Sequence, residues 1–223
     1  MRGVKGDKNG MRAMVGSAAK AMALVGLVCG STACGDVVRQ GRSPALLVID
    51  QMQAASGADP GTFSGFLLSD VQTLVEQQIN GETLRVPTIF NDVGQATVHL
   101  VMKDQGTGGN GVAPGPLNAV TLNRYRVEYR RSDGRNAQGV DVPFPIDGAV
   151  NVTVSGTPVS VGFEIVRHQA KLEQPLRSLV NFGGRLFIST VADVTFYGAD
   201  LAGNEIQAKG TISVSFSDYA DPE

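Results

Sequence analysis

The 223-residue sequence contains no tryptophan, two cysteines and two histidines. Without tryptophan, a sugar-binding site built on aromatic stacking has few rings to use, because the four tyrosines must also serve the core. The uncharged apolar run at residues 21–29 would form only about 14 Å of helix, roughly half of a bilayer core. The sequence therefore predicts neither an aromatic sugar platform nor a stable transmembrane helix in this run.

Basic residues precede that apolar run, and the combination is typical of a cleaved export signal. Five cations stand against one acid, Asp7, before residue 21. The cations are Arg2, Lys5, Lys8, Arg12 and Lys20. Either Met1 or Met11 can be the start, because the shorter leader keeps two positive charges and the whole apolar run.

Small residues follow the apolar run and end at a cysteine, in the stretch Gly-Ser-Thr-Ala-Cys-Gly that covers Gly30 to Gly35. This stretch resembles the lipobox of bacterial lipoproteins. The resemblance implies that the signal is cut just before Cys34 and that the Cys34 sulfur carries a diacylglycerol. Ala33 and Gly35 match the small positions beside the cysteine, whereas Ser31 stands where the family usually has Leu, Val or Ile.

Two other interpretations of Cys34 stay open. An ordinary signal peptidase that cuts after Ala33 would release the protein, and a retained leader would allow a disulfide between Cys29 and Cys34. The cysteine count favours the lipid anchor, because a cut before Cys34 leaves one thiol, which is an oxidation liability unless it is acylated. Two or more acyl chains would hold the protein durably at its membrane.

These considerations divide the chain into a lipoprotein-type signal peptide at residues 1–33, a short tether at 34–44 and a single β-sandwich domain at 45–220. The ten steps from Cys34 to Pro44 reach at most about 33–36 Å. The 190 residues that follow the leader hold 14 Lys and Arg against 20 Asp and Glu, a net charge of −6. Such an acidic chain argues against nucleic acid as the main partner.

Apolar and polar residues alternate in many short segments, and this period of two predicts β-strands. The clearest pair covers Leu186 to Asp200 and Glu205 to Ser217, and we expect these segments to form a hairpin around the turn residues Gly203 and Asn204. Further segments are Ala96–Met102, Val150–Val154 and Val159–Ile165, with the less regular ALLVID and FLLSDVQTLV. Turn-rich spacers separate them, which favours an all-β fold.

Residues Leu186 to Phe216 resemble the closing hairpin of bacterial immunoglobulin-like domains, with an aromatic-Gly-Ala-Asp strand end before Leu-Ala-Gly-Asn-Glu. The resemblance implies an immunoglobulin-like sandwich of two antiparallel sheets, and it implies no activity. Residues 170–180 have a helical pattern that Pro175 breaks, so we expect a loop with one helical turn there.

Motifs for catalysis and cofactors are weak. Gly106 to Gly111 match G-x-G-x-x-G, but Pro114 and Pro116 disfavour the helix that a nucleotide site needs, so we interpret the stretch as a loop. His99 and His168 fit no metal spacing, and His99 should lie on the solvent side of its strand. No G-x-S-x-G supports a hydrolase, so neither an enzyme nor a catalytic residue nor a cofactor is predicted.

Calcium is the one metal for which the sequence offers ligand types, at four Asx residues of the longest polar connection. The EF-hand spacing is absent, so we favour a role in turns for these side chains. They are Asp133, Asn136, Asp141 and Asp147.

A dense basic segment, NRYRVEYRRSDGR, suggests an interaction surface. In a strand, Tyr125 and Val127 would face one side, and Arg124, Arg126 and Arg130 would face the other. These arginines could guard an edge strand. They could also contact an acidic protein or a polysaccharide.

We therefore expect an exported protein, anchored in the bacterial cell envelope through membrane lipid at Cys34 and either periplasmic or surface-exposed. It would act as a binding, adhesion or scaffolding module. The alternatives are an envelope-associated hydrolase whose site is not identifiable from sequence, and assembly through an unpaired edge strand.

Overall fold

The computed structural model of the protein describes residues 41–104 and 112–219, and strands form most of them. The leader, Cys34, most of the tether and the G-x-G-x-x-G stretch lie outside the described residues. The strands are β1 (Ala45–Ala55), β2 (Phe66–Asp70), β3 (Thr73–Ile79), β4 (Glu82–Thr88), β5 (Asp92–Met102), β6 (Val120–Arg130), β7 (Ile146–Val154), β8 (Val159–Val166), β9 (Phe187–Asp200) and β10 (Glu205–Ser217). One helix, α1 (His168–Leu172), and two 3-10 turns, Pro116–Asn118 and Leu176–Leu179, complete the described elements.

Two sheets enclose the core, so the prediction of an all-β sandwich is confirmed. One sheet has the order β1-β5-β8, and the other has the order β2-β10-β9-β6-β7. Pairing is antiparallel in both sheets except between β2 and β10, which run parallel. The predicted hairpin is β9-β10, with Glu205 opposite Ala199 and Gly203 at a φ of 79° in the turn.

A bulge in β6 keeps its apolar residues on one face. Val120 and Leu122 are fully buried, and beyond Asn123 the buried set moves from even to odd positions with Tyr125 and Val127. One inserted residue changes the parity of a strand, because side chains alternate with a period of two. The bulge therefore lets both halves of β6 face the same core.

Aromatic rings fill the centre of the core between the two sheets. The ring centroid of Phe163 lies 5.5 Å from that of Tyr125 and 5.4 Å from that of Phe196. Glycine makes room for them, since a Cβ on Gly148 would lie 2.3 Å from the Tyr125 ring and a Cβ on Gly94 2.3 Å from the Phe163 ring. The aromatic packing thus requires these two positions to lack a side chain.

The segment FLLSDVQTLV, expected as one irregular strand, is divided between β2 and β3. Asp70 makes the division, because its carboxylate accepts hydrogen bonds from the Thr73 hydroxyl (2.7 Å) and the Tyr219 amide (3.1 Å). From there β3 and β4 form a hairpin around Asn80 and Gly81, with φ of 55° and 85°. Asn-Gly is a strong hairpin signal, so this hairpin was predictable from the sequence.

The predicted helical segment contains two short helical turns where one was expected. The helix α1 ends at Leu172, and the 3-10 turn starts at Leu176, with Pro175 between them. The interruption at Pro175 is as predicted, because proline cannot donate the hydrogen bond that would continue a helix. This connection carries Lys171 into the interior, where the side chain is 1% exposed.

Candidate functional site

The outer face of the five-stranded sheet carries the arginines that the sequence singled out. The side chains of Arg124 and Arg130 are 55% and 53% exposed, and that of Arg126 is 33% exposed. Tyr125 and Tyr129 on the same strand are buried. The predicted division of β6 into an aromatic inner face and an arginine-bearing outer face is therefore confirmed.

Each of these arginines contacts a carboxylate of the same sheet. Arg126 donates to Glu128 (2.9 Å) and also to Asp147 on β7. Arg124 lies 3.9 Å from Asp147 and places its guanidinium 4.1 Å from the centre of the Tyr197 ring. The arginines are thus held in place by ion pairs and a cation–π contact, so they do not form an unpaired basic row.

Asp193 on β9 is the most buried acid of this group, with 8% of its surface exposed. It accepts hydrogen bonds from Arg130 (2.9 Å) and contacts Lys209 of β10 (3.1 Å). Burial alone would raise the pKa of this carboxyl, but the hydrogen bonds and charges of Arg130 and Lys209 lower it below its usual value. The second oxygen, Oδ1, is buried without a hydrogen-bond partner in the described part of the chain.

We call this set of side chains the charged ladder. It contains four cations and three acids, so its net charge is +1. The members are Arg124, Arg126, Glu128, Arg130, Asp147, Asp193 and Lys209. Because a guanidinium has five N–H donors, the ion pairs leave the exposed arginines with donors that a partner can use.

An apolar strip borders the ladder on the same sheet. On β2, Phe66 and Leu68 are 55% and 48% exposed, whereas Leu67 between them is buried. Phe187, at the start of β9, is 67% exposed. Ser213 and Ser215 of β10 pair with Phe66 and Leu68 in the register of the sheet. The outer face therefore offers arginines and exposed phenylalanines on one surface, separated by small polar residues.

The four candidate calcium ligands are each engaged in a local contact. Asp133 pairs with Arg131 (2.6 Å) and Arg135, and Asn136 accepts a hydrogen bond from the Arg131 amide (2.6 Å). Asp141 accepts from the Ala137 amide, and Asp147 belongs to the charged ladder. These contacts are those of turn and ion-pair residues, and the described residues contain no group of three or more His, Cys, Asp or Glu side chains arranged for a metal.

His99 lies on the outer face of β5, opposite the buried Val98 and Leu100, as the alternation predicted. Its Nδ1 is 2.8 Å from a carboxylate oxygen of Asp50, which sits at a bulge of β1. Asp50 also lines an open cleft of about 580 Å³ between β1 and β10. Within the described residues, no hydrogen bond joins His99 to a hydroxyl that could act as a nucleophile.

His168 begins α1, and among the residues that the structure describes its ring contacts an amide and no carboxylate. Its Nδ1 lies 2.9 Å from Asn91 Oδ1, and Asn91 in turn donates to Glu164 (2.9 Å). Glu164 and Arg167 line a second open cleft, of about 690 Å³, beside the Tyr125 and Phe163 rings. The two histidines therefore lie in different parts of the sandwich, and the structure does not bring them together.

A buried polar cluster, which the sequence analysis missed, lies at the start of β5. Asp92 is 0% exposed, and Lys171 contacts both of its oxygens, at 3.0 and 2.9 Å. The same carboxylate accepts hydrogen bonds from the Ser69 hydroxyl (2.6 Å) and the Gly57 amide (2.9 Å). Four chain segments thus meet at one carboxylate, and each donor satisfies an oxygen that water cannot reach.

The lipidation candidate Cys34 lies outside the described residues. In the stretch that is described, no helix combines the length and the apolar character needed to span a bilayer. No family model, curated protein or solved structure matches this chain.

Proposed function

We propose that this protein is exported, is anchored to the bacterial cell envelope by lipid on Cys34, and acts as a binding, adhesion or scaffolding module. Its contact surface would be the outer face of the five-stranded sheet. The observation that carries the proposal is the juxtaposition of fixed, exposed arginines with the exposed Phe66 and Phe187 on one face.

The chemistry of this face suits macromolecular recognition. Arginine and aromatic residues are enriched among the side chains that dominate binding energy in protein interfaces. The ion pairs of Arg126 and Arg130 hold both guanidiniums before a partner arrives, so less side-chain entropy is lost on binding. A fixed arginine also presents its donors in the planar geometry that carboxylates accept.

The partner that fits best is rich in carboxylates, whether it is an acidic protein surface or an acidic polysaccharide of the envelope. Its carboxylates would take the guanidinium donors that Glu128 and Asp147 leave free. The net charge of −6 after residue 33 keeps the remainder of the surface unattractive to such a partner, so binding would be confined to this face.

The contact surface can be tested by crosslinking in living cells, followed by quantitative mass spectrometry. The test variant carries Arg124→Ser, Arg126→Ser and Arg130→Ser. The matched control carries Arg85→Ser, Arg177→Ser and Arg185→Ser, at exposed arginines outside the ladder. We expect the ladder variant to lose crosslinked partners that the wild type and the control retain, and equal recovery from all three proteins would contradict the proposed surface.

The anchor is tested separately, by mass spectrometry of the native N-terminus and detergent partitioning. We expect an acylated Cys34 as the first residue and recovery in the detergent phase. Cys34→Ser should move the protein to the aqueous phase. An intact leader, or an unacylated N-terminus in the aqueous fraction, would contradict the anchor.

A further inference from the structure

The chain enters the sandwich at one end, which we call the tether end. The Ser43 side chain lies beside the Asp200 carboxylate there, and the Lys103 amide donates to the Pro44 carbonyl (2.9 Å). Val120, the first residue of β6, pairs with Asp200, the last residue of β9. The start of β1 and the β9-β10 turn therefore lie at the same end of the molecule.

Two of the most exposed large apolar side chains of the described residues are at this end. Leu117 is 87% exposed and Leu201 is 68% exposed. Leu117 lies three positions before Val120, and Leu201 directly follows Asp200, so they flank the Val120–Asp200 pair of the sheet. Val112, 54% exposed, lies on the connection that leads to Leu117.

Local hydrogen bonds fix the turns that carry both leucines. Asp200 accepts from the amides of Ala202 (3.0 Å) and Asn204 (2.8 Å). Burial alone would raise the pKa of Asp200, but hydrogen bonds from Asn204, Ala202 and Ser43 lower it below its usual value. Leu117 stands in the 3-10 turn that Pro116 begins, where the Asn118 amide donates to the Gly115 carbonyl (2.9 Å).

Resting on the proposed acylation of Cys34, we propose that the tether end faces the lipid bilayer and that Leu117 and Leu201 enter the boundary between headgroups and acyl chains. The nine steps from Cys34 to Ser43 reach at most about 30–32 Å. β9, with its 14 residues, is about 44 Å long along the sheet. The tether is therefore too short for the molecule to stand inverted with the opposite end on the membrane.

Burial of apolar side chains, and not charge, would draw the tether end to lipid. The chain from Cys34 onward has 14 basic and 20 acidic residues, so it offers no general attraction to anionic lipids. Two leucines bind lipid weakly by themselves, but the anchor would hold them at a high effective concentration beside the bilayer. The contact should consequently form on neutral lipid and be insensitive to salt.

The experiment uses the acylated protein, purified from cells in detergent and reconstituted into phosphatidylcholine vesicles. Leu117→Cys and Leu201→Cys each introduce a thiol for an environment-sensitive fluorophore. Val140→Cys is the matched control, because Val140 is 70% exposed in the β6-β7 connection at the opposite end. Each variant is also made with Cys34→Ser, so that the same label is measured on unanchored protein in solution.

We expect iodide quenching of the labels at 117 and 201 to fall several-fold in vesicles relative to solution, at low and high salt alike. The label at 140 should be quenched equally in both. If the labels at 117 and 201 were quenched as strongly in vesicles as in solution, like the label at 140, on protein whose acylated Cys34 is verified by mass, this inference alone would be overturned. An unacylated Cys34 would overturn the proposed anchor and this inference with it.

Discussion

The charged ladder and the buried Asp92–Lys171 cluster use the same chemical groups in opposite surroundings. In the ladder, Arg126 and Asp147 have side chains 33% and 47% exposed, so water can reach both groups. In the buried cluster, the side chains of Lys171 and Asp92 are 1% and 0% exposed, and protein groups donate to both oxygens of the carboxylate. The exposed ion pairs of the ladder can therefore open to bind groups of another molecule, whereas the buried Asp92–Lys171 pair cannot.

The difference follows from the cost of removing charge from water. An exposed ion pair contributes about 0.2–1 kcal/mol, since water competes for both groups. A buried pair gains little over an apolar pair of the same shape, yet removal of one partner costs about 3–5 kcal/mol, because the other charge remains buried and uncompensated. This contrast supports the proposal that recognition occurs at the ladder, and it assigns the cluster to the stability of the sandwich.

The largest expected effect is that of Lys171→Met, which keeps the length of the side chain and leaves Asp92 without its cation. We expect the free energy of unfolding to fall by about 3–5 kcal/mol. The matched control is Lys209→Met in the ladder, where the lysine side chain is 55% exposed and a loss below about 1 kcal/mol is expected. Urea denaturation of both variants measures the difference, and equal losses would remove the contrast between the regions.

Ser69→Ala should have an intermediate effect. It deletes the 2.6 Å hydrogen bond to the buried Asp92 carboxylate, and a hydrogen bond to a charged group contributes about 1.5–3 kcal/mol. Ser213→Ala, at an exposed position of β10, should change the free energy of unfolding by less than about 0.5 kcal/mol. If Ser69→Ala proved as mild as its control, the serine would not help to stabilise the cluster.

The smallest expected effect is a change in acid sensitivity at Asp193. The folded-state pKa of Asp193 is lowered, so its ion pairs contribute stability above the unfolded pKa of about 3.9, and this contribution is lost as pH falls through the folded pKa. Asp193→Asn should be less stable than wild type at pH 7, and the gap should close toward pH 2. Thermal unfolding of both proteins between pH 7 and pH 2 measures this difference in stability. A difference that stays constant over the range would contradict the stabilising role assigned to the Asp193 ion pairs.

Alternation allowed much of the sandwich to be predicted. The alternation of apolar and polar residues predicts the β9-β10 hairpin, and it places Tyr125 and Arg124 on opposite faces of β6, as the structure has them. Such patterns are local, because a strand with one buried face repeats every two residues. The Asn80-Gly81 signal of the β3-β4 hairpin was equally local and was not used, although it was present in the sequence.

No sequence pattern indicated the buried cluster. Lys171 and Asp92 are 79 residues apart, and an isolated lysine or aspartate in a sequence is expected at the surface. Their burial depends on α1 and β5 meeting in three dimensions, with Ser69 and Gly57 brought in from two further segments. The ion pairs that hold the ladder arginines across β6, β7 and β9 are likewise products of strand pairing.

By itself, the sequence determined the strands, their inner and outer faces and the expectation of an exported, acylated chain, because these depend on residues close together in the chain. Only the tertiary structure decided which charges are buried, which arginines are paired and which leucines lie at the end where the chain enters the sandwich. Burial and pairing are set by contacts between segments that the fold brings together, and the free energy of a charge depends on the water left around it.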